Sequence, residues 1–377
     1  MKLVFASDCI KYPLTGIGRY ALELATQLET RSDITSLRYL NGRTLVEKLP
    51  VPVESGEVEP KMRGMLRKNP LITGAYRFVY PWLKSRTLKQ AEGAIFHSPN
   101  YFLPPSVDRA IATFHDLSIF TWPECHPADR IAFMRKELLL SLRRAQRLVT
   151  ISEFSRQEIA SYFNYPLDKI DMAPLASSGQ FYARSSAETA DLMRRLGLKH
   201  GHYCLYTGTI EPRKNIGTLL DAYEKLPISL RAHYPLVLCG YSGWGSEAIH
   251  QRFERGEREG WIKYLGYMAS QDLPLLFAGA RAFLFPSLYE GFGLPVLEAM
   301  SSEVPVVCSN AASLPEVVGE AALVCEPLDV EGFTQAIQRA IEDTVWRSEA
   351  ITAGLHQAGG FSWAHCADET LKAYKKL

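Results

Sequence analysis

Short apolar runs alternate along this chain with stretches whose apolar residues recur at helical spacing. In the N-terminal half the runs are LVFAS (3–7), AIFHS (94–98), AIATFH (110–115) and RLVTIS (147–152). In the C-terminal half they are YCLYTG (203–208), PLVLCG (235–240), AFLFPS (282–287) and VPVVCS (304–309). Such runs, each followed by a turn and a helical pattern, mark strands of parallel sheets covered by helices on both faces. The predicted fold class is α/β, with one doubly wound sheet in each half. Helices are expected at TGIGRYALELATQLE, over residues 128–147, and in the closing segment FSWAHCADETLKAYKKL, where Ser362 is a candidate cap. Between the halves, residues 172–189 lose the periodic apolar pattern and read as a linker.

Length agrees with two domains, because 377 residues exceed the ~100–200 residues of one ordinary core. The hydrophobic content of 47% can fill both. No run approaches the ~20 apolar residues of a membrane-spanning helix, so a soluble cytoplasmic protein is expected. The seven cysteines include no C-x-x-C pair, which points neither to a disulfide framework nor to a zinc site.

The net charge of +1 conceals an asymmetry. Up to residue 185 there are 25 Lys and Arg against 18 Asp and Glu, a formal +7; the rest has 17 against 23, or −6. Residues 61–90 contain eight basic residues and no acidic one, interleaved with Tyr76, Phe78, Tyr80 and Trp82. This composition suits an anionic lipid surface, and equally a solvated face. The basic helix at 128–147 could lie on the inner membrane surface or pack its apolar side on the sheet. No nucleic-acid motif is present.

Ligands of doubly wound sheets bind beyond the carboxyl ends of the strands, so residues following each strand are the candidates. Near the start, Gly16 and Gly18 allow close backbone approach at a helix start, or form a simple turn. His115 ends the AIATFH run and Asp116 follows it, at a strand end where a capping role competes. In GTIEPRKN, Arg213 and Lys214 are two adjacent cations suited to a diphosphate. In YEGFGLPVLEAM, Glu290 and Glu298 flank a glycine loop that runs into a helix beginning at Pro295. The amides of Gly291, Phe292, Gly293 and Leu294 would favour an anion there. Glu298 would accept hydrogen bonds from a diol such as a ribose, although each glutamate alone also fits a solvated surface. Tyr267 and Met268, after a strand near Leu265, border the region expected for a base.

Taken in order, TGIGRY, FHDLSIFTWPECHP, VTISEFSRQEI, GTIEPRKNI, SLYEGFGLPVLEAM and a closing FSW helix resemble the retaining glycosyltransferases of family 4. The likeness spans nearly the whole chain, and in more detail the chain resembles bacterial mannosyl- and rhamnosyltransferases of O-antigen or exopolysaccharide assembly. It implies the GT-B architecture of two facing Rossmann-like domains. These would be residues 1–178, joined by a returning helix at 361–377 and binding the acceptor, and residues 179–360, binding a nucleotide-sugar donor.

The resemblance further implies that Arg213 and Lys214 hold the donor diphosphate, that Glu298 holds the ribose and Glu290 the sugar hydroxyls, and that His115 lines the sugar pocket. It implies a GDP donor, a lipid-linked or polysaccharide acceptor, and retention of anomeric configuration. Many members carry an arginine where this chain has Thr209, which shifts the phosphate load to Arg213 and Lys214. The chain contains no D-x-D, so neither a metal nor another cofactor is expected. Alternative readings are a nucleotide-sugar epimerase of the same fold and a catalytically inactive, membrane-associated assembly scaffold.

Overall fold

The computed structural model describes residues 1–11, 14–50, 83–105 and 107–377. Two sheets organise them. The first contains β1 (Lys2–Ala6), β2 (Ser36–Asn41), β3 (Thr44–Val46), β4 (Ile95–Ser98), β5 (Ala110–Phe114), β6 (Arg147–Thr150) and β7 (Ile170–Met172), in the order β3-β2-β1-β4-β5-β6-β7. The second contains β8 (Cys204–Thr207), β9 (Leu236–Cys239), β10 (Ile262–Tyr264), β11 (Ala282–Phe285), β12 (Val306–Ser309) and β13 (Ala322–Cys325), in the order β10-β9-β8-β11-β12-β13. Strand order reverses beside β1 in one and beside β8 in the other. Those are the points at which such sheets open a crevice for a ligand.

Every residue of β4, β5, β8, β9, β11 and β12 is buried, which is why their sequences are continuous apolar runs without alternation. Each such buried aliphatic or aromatic side chain contributes about 1.5–3 kcal/mol by leaving water. Outside the apolar runs lie β2, β3, β7, β10 and β13, of which β10 is the strand expected near Leu265. Four of these, β3, β7, β10 and β13, lie at sheet edges and are partly exposed, so they lack a continuous run. The first sheet is also not wholly parallel. β3 pairs antiparallel to β2 through a two-residue turn, Gly42 and Arg43, between the paired Asn41 and Thr44, where Gly42 takes a φ of 63°.

Two boundaries differ from expectation. The helix Ser186–Leu196 starts inside the stretch expected as linker, because Ser185 and Glu188 form a reciprocal capping box. The helix after the glycine loop runs Leu294–Ser301, so it begins one residue before Pro295. Its cap is Gly293, whose φ of 109° is open to glycine and strained for any other residue.

The last helix, Trp363–Lys375, is capped by Ser362, which accepts from the His365 amide. It packs on the helix Gly16–Glu29 and against β6 and β7, so the chain's end lies on the first sheet. There His97 bridges the hydroxyls of Tyr374 and Thr113 at 2.5 and 2.8 Å, and Thr113 also bonds to Tyr20 at 2.9 Å. Burial holds the His97 imidazole down at about 3, so this network is neutral. In the helix Ala128–Arg144 the side chains of Leu138 and Leu142 pack into the core, while Arg135 and Arg144 donate to the Ile119 and Leu103 carbonyls. Much of this helix is therefore engaged by the protein. Of the basic stretch 61–90, residues 61–82 lie outside the described ones. Among the described residues no helix is long and apolar enough to cross a membrane.

Candidate functional site

The carboxyl ends of the two sheets meet. Tyr289 accepts from the Leu117 amide at 3.0 Å and donates to Glu158, whose carboxyl burial raises to about 7. Ser152 donates to the Gly291 carbonyl at 2.7 Å, and Trp244 donates to the Cys125 carbonyl at 2.5 Å. Glu316 accepts from the first amides of the helix Glu153–Phe163 at 2.8 and 3.1 Å. Gly291 lies so close to the opposite domain that an added Cβ would sit 2.0 Å from the His115 carbonyl oxygen. Only glycine permits this approach.

At the end of β8 the chain makes a 3₁₀ turn, Pro212–Lys214, which Asn215 closes with a left-handed φ of 55°. This turn aims two cations at the loop after β11. Arg213 donates to Glu211 at 2.8 Å, to Glu290 at 3.2 Å and to the Tyr289 carbonyl at 2.6 Å. Lys214 is bonded to the other oxygen of Glu290, which also accepts from Ser287 at 2.7 Å. The resemblance placed Arg213, Lys214 and Glu290 at one donor site without pairing them with each other. The fold joins them in one buried cluster with Glu211, which sequence reading passed over although it stands in the same EPRKN motif.

The electrostatics follow from burial opposed by pairing. For Glu290 burial pushes the carboxyl up, but Lys214 and Arg213 outweigh it and hold the group below the ordinary carboxylate range. Burial, and then the neighbouring Arg213, lower the Lys214 ammonium. Arg213 feels burial too, yet Glu290, Glu211 and Asp116 raise it further above its usual value. Two buried atoms of the cluster, Arg213 Nε and Glu211 Oε2, have no hydrogen-bond partner among the described residues. Unpaired buried polar atoms are costly, and a ligand oxygen could satisfy the Arg213 donor.

Glu298 lies on the helix Leu294–Ser301 and is only 3% exposed. Among the described hydrogen bonds its side chain accepts only from Arg19, which comes from the opposite domain. Arg19 directly follows the TGIG loop and went unnoticed in the sequence; its place beside a strand-end glycine loop was the available signal. Burial raises the Glu298 carboxyl to about 7 against the lowering effect of Arg19.

The remaining expected residues fall as follows. His115 is buried and its Nε2 lies 2.8 Å from the Pro99 carbonyl, while its ring meets Tyr20 and Tyr101 edge-on. The Gly18 amide bonds to the Thr15 side chain, and an added Cβ there would meet the Cys9 carbonyl at 2.8 Å; Gly16 faces open space. Thr209 stands two residues past the end of β8, after Gly208, and its carbonyl lies 3.5 Å from the Tyr206 hydroxyl. Phe292 packs in the core and Leu294 starts the helix. Met268 packs against the core. Tyr267 stacks on Tyr241 with centroids 4.6 Å apart, both following glycines at the ends of β10 and β9. Among the described residues no group of three or more His, Cys, Asp or Glu could hold a metal ion.

Two Rossmann-like domains meeting at the carboxyl ends of their sheets, with a buried cation pair and a glycine-loop helix start on one wall, define the GT-B architecture of nucleotide-sugar enzymes. The chain belongs to the group 1 glycosyl transferases, whose family description matches residues 190–356, and it is a glycosyltransferase. It is 48% identical to the O-antigen chain mannosyltransferase B of Escherichia coli, over the full length of both chains. It is 23% identical to the O-antigen chain mannosyltransferase RfbU of Salmonella typhimurium, over 86% of each. Among solved structures, WaaG, a glycosyltransferase involved in lipopolysaccharide biosynthesis, superposes with a TM-score of 0.73 at 16% identity, covering 98% of both chains.

Proposed function

We propose that the protein is a mannosyltransferase of O-antigen biosynthesis. It transfers mannose from GDP-mannose, with retention of anomeric configuration, to a lipid-linked or polysaccharide acceptor. The full-length relative at 48% identity supports the sugar and the biosynthetic setting. The observation that carries the chemistry is the Arg213–Lys214–Glu290 cluster, with its unpartnered Arg213 Nε.

Departure of GDP develops negative charge on phosphate oxygens, and fixed cations in a site shielded from water stabilise charge that appears in the transition state. Arg213 and Lys214 do this without a metal, aided by the amides at the start of the helix Leu294–Ser301. Glu290 is tied by Lys214, Arg213 and Ser287, so it positions the sugar hydroxyls and is not a covalent nucleophile. The leaving phosphate takes the acceptor's proton on the same face, which gives retention. Glu298 receives the ribose diol, and Tyr267 with Met268 borders the base. His115 shapes the sugar pocket from the first domain, through its backbone beside Gly291.

The test is GDP-mannose turnover by Lys214→Ala and Glu298→Ala. Unchanged turnover in either variant would sink the site assignment. Peripheral contact with the inner face of the cytoplasmic membrane is part of the same reading and rests on the basic segment 61–90. Neutralising Arg67, Lys68, Arg77 and Lys84 should weaken binding to anionic vesicles at low salt, and unchanged binding would remove it.

A further inference from the structure

The Arg19–Glu298 pair joins residues 279 positions apart, one from each domain, inside the cleft. The fold gives Arg19 little freedom. Gly18 brings the helix start against the Cys9 carbonyl, Thr15 caps it, and the guanidinium lies 5.7 Å from the centre of the Phe181 ring. Glu298 is equally fixed, one turn inside a helix whose neighbouring residues are buried.

An ionised carboxylate has about four acceptor positions on its two oxygens. The guanidinium occupies Oε1, so the carboxylate can hold Arg19 and a diol together. Replacing Arg19 by neutral hydroxyls would instead strand a buried charge, which is strongly unfavourable. Arg19 therefore stays when the donor binds.

We propose that Arg19 is a positioning residue for the donor. From the opposite domain it orients the Glu298 carboxylate and favours its charged form to receive the ribose diol, so the ribose site is complete only when the two domains are closed. This rests on the donor reading above and adds to it a residue of the first domain. Nucleotide recognition and cleft closure become one event, because the carboxylate is fully prepared only while Arg19 reaches it.

The test is calorimetric titration of the full-length protein with GDP and with 2′,3′-dideoxy-GDP, which lacks the diol. Arg19→Met is expected to weaken GDP about tenfold, in line with the loss of a charge-assisted hydrogen bond, and to leave dideoxy-GDP unchanged. Arg19→Lys should recover most of the GDP affinity. In turnover assays Arg19→Met should raise the donor KM far more than it lowers kcat, since the ribose is remote from the reacting carbon. Equal losses for the two nucleotides, or no loss with GDP, overturn the proposal alone and leave the donor site standing. If the unaltered protein binds neither nucleotide, the donor reading falls and the proposal with it.

Discussion

The two domains share a topology but solve the burial of polar groups differently. Behind the strand ends of the first sheet the buried groups are neutral: His97, Thr113, Tyr20 and Tyr374 form one hydrogen-bonded network, and His115 is tied to the Pro99 carbonyl. At the strand ends of the second sheet they are ionic: Glu211, Arg213, Lys214, Glu290 and Glu298 are all largely buried. Neutral networks of this sort fasten elements, here the returning helix to its sheet. Buried ion pairs are poor stabilisers, because desolvation cancels much of their attraction. A cluster of them with an unpartnered donor therefore points to a ligand, and the contrast separates an anchoring region from a binding region.

The largest effect that would break this contrast is on turnover. Arg213→Ala or Lys214→Ala should lower GDP-mannose turnover by about 10²–10³-fold, the cost of removing a preorganised group that stabilises transition-state charge. Normal rates would place the chemistry elsewhere. Glu290→Gln keeps the shape and part of the hydrogen bonding, yet leaves Lys214 without its counter-charge; turnover should fall by roughly tenfold or more. Measured beside the alanine variants, this separates charge from packing.

The opposite pattern is expected in the first domain. His97→Phe strands the Tyr374 and Thr113 hydroxyls and should cost about 1–3 kcal/mol in denaturant unfolding, while the donor KM stays unchanged. A shifted KM would mean that the neutral network also serves binding. The smallest effect concerns pH. Burial raises the Glu298 carboxyl to about 7, and on the proposed reading it would accept ribose hydroxyls fully only when ionised, so GDP affinity should fall as pH drops from 8 to 6. Glu298→Gln should bind more weakly at pH 8 and with a flatter profile over that range, by calorimetry at each pH.

Much of this was legible in the sequence where burial is two-sided. β8, β9, β11 and β12 were found because strands covered on both faces must be apolar throughout. The edge strands β3, β7 and β13 escaped for the converse reason, and the Asn41–Gly42 dipeptide that leads into the β2–β3 turn, a hairpin signal, went unread. Arg213, Lys214, Glu290 and Glu298 were visible as strand-end residues, because the fold class limits where ligands bind. Arg19 was not, since a single arginine on a helix has no pattern that names a partner 279 residues away.

The sequence by itself determined the two α/β halves, the positions of their strand ends and the polar residues placed there, because these follow from local periodicity and turn chemistry. Only the tertiary structure decided that Lys214 and Glu290 share one ion pair, that Gly291 must be glycine to pass the His115 carbonyl, and that Arg19 reaches Glu298 across the cleft. These are distances between segments remote in the chain. They are set by how two separately folded sheets come together, which no local pattern encodes.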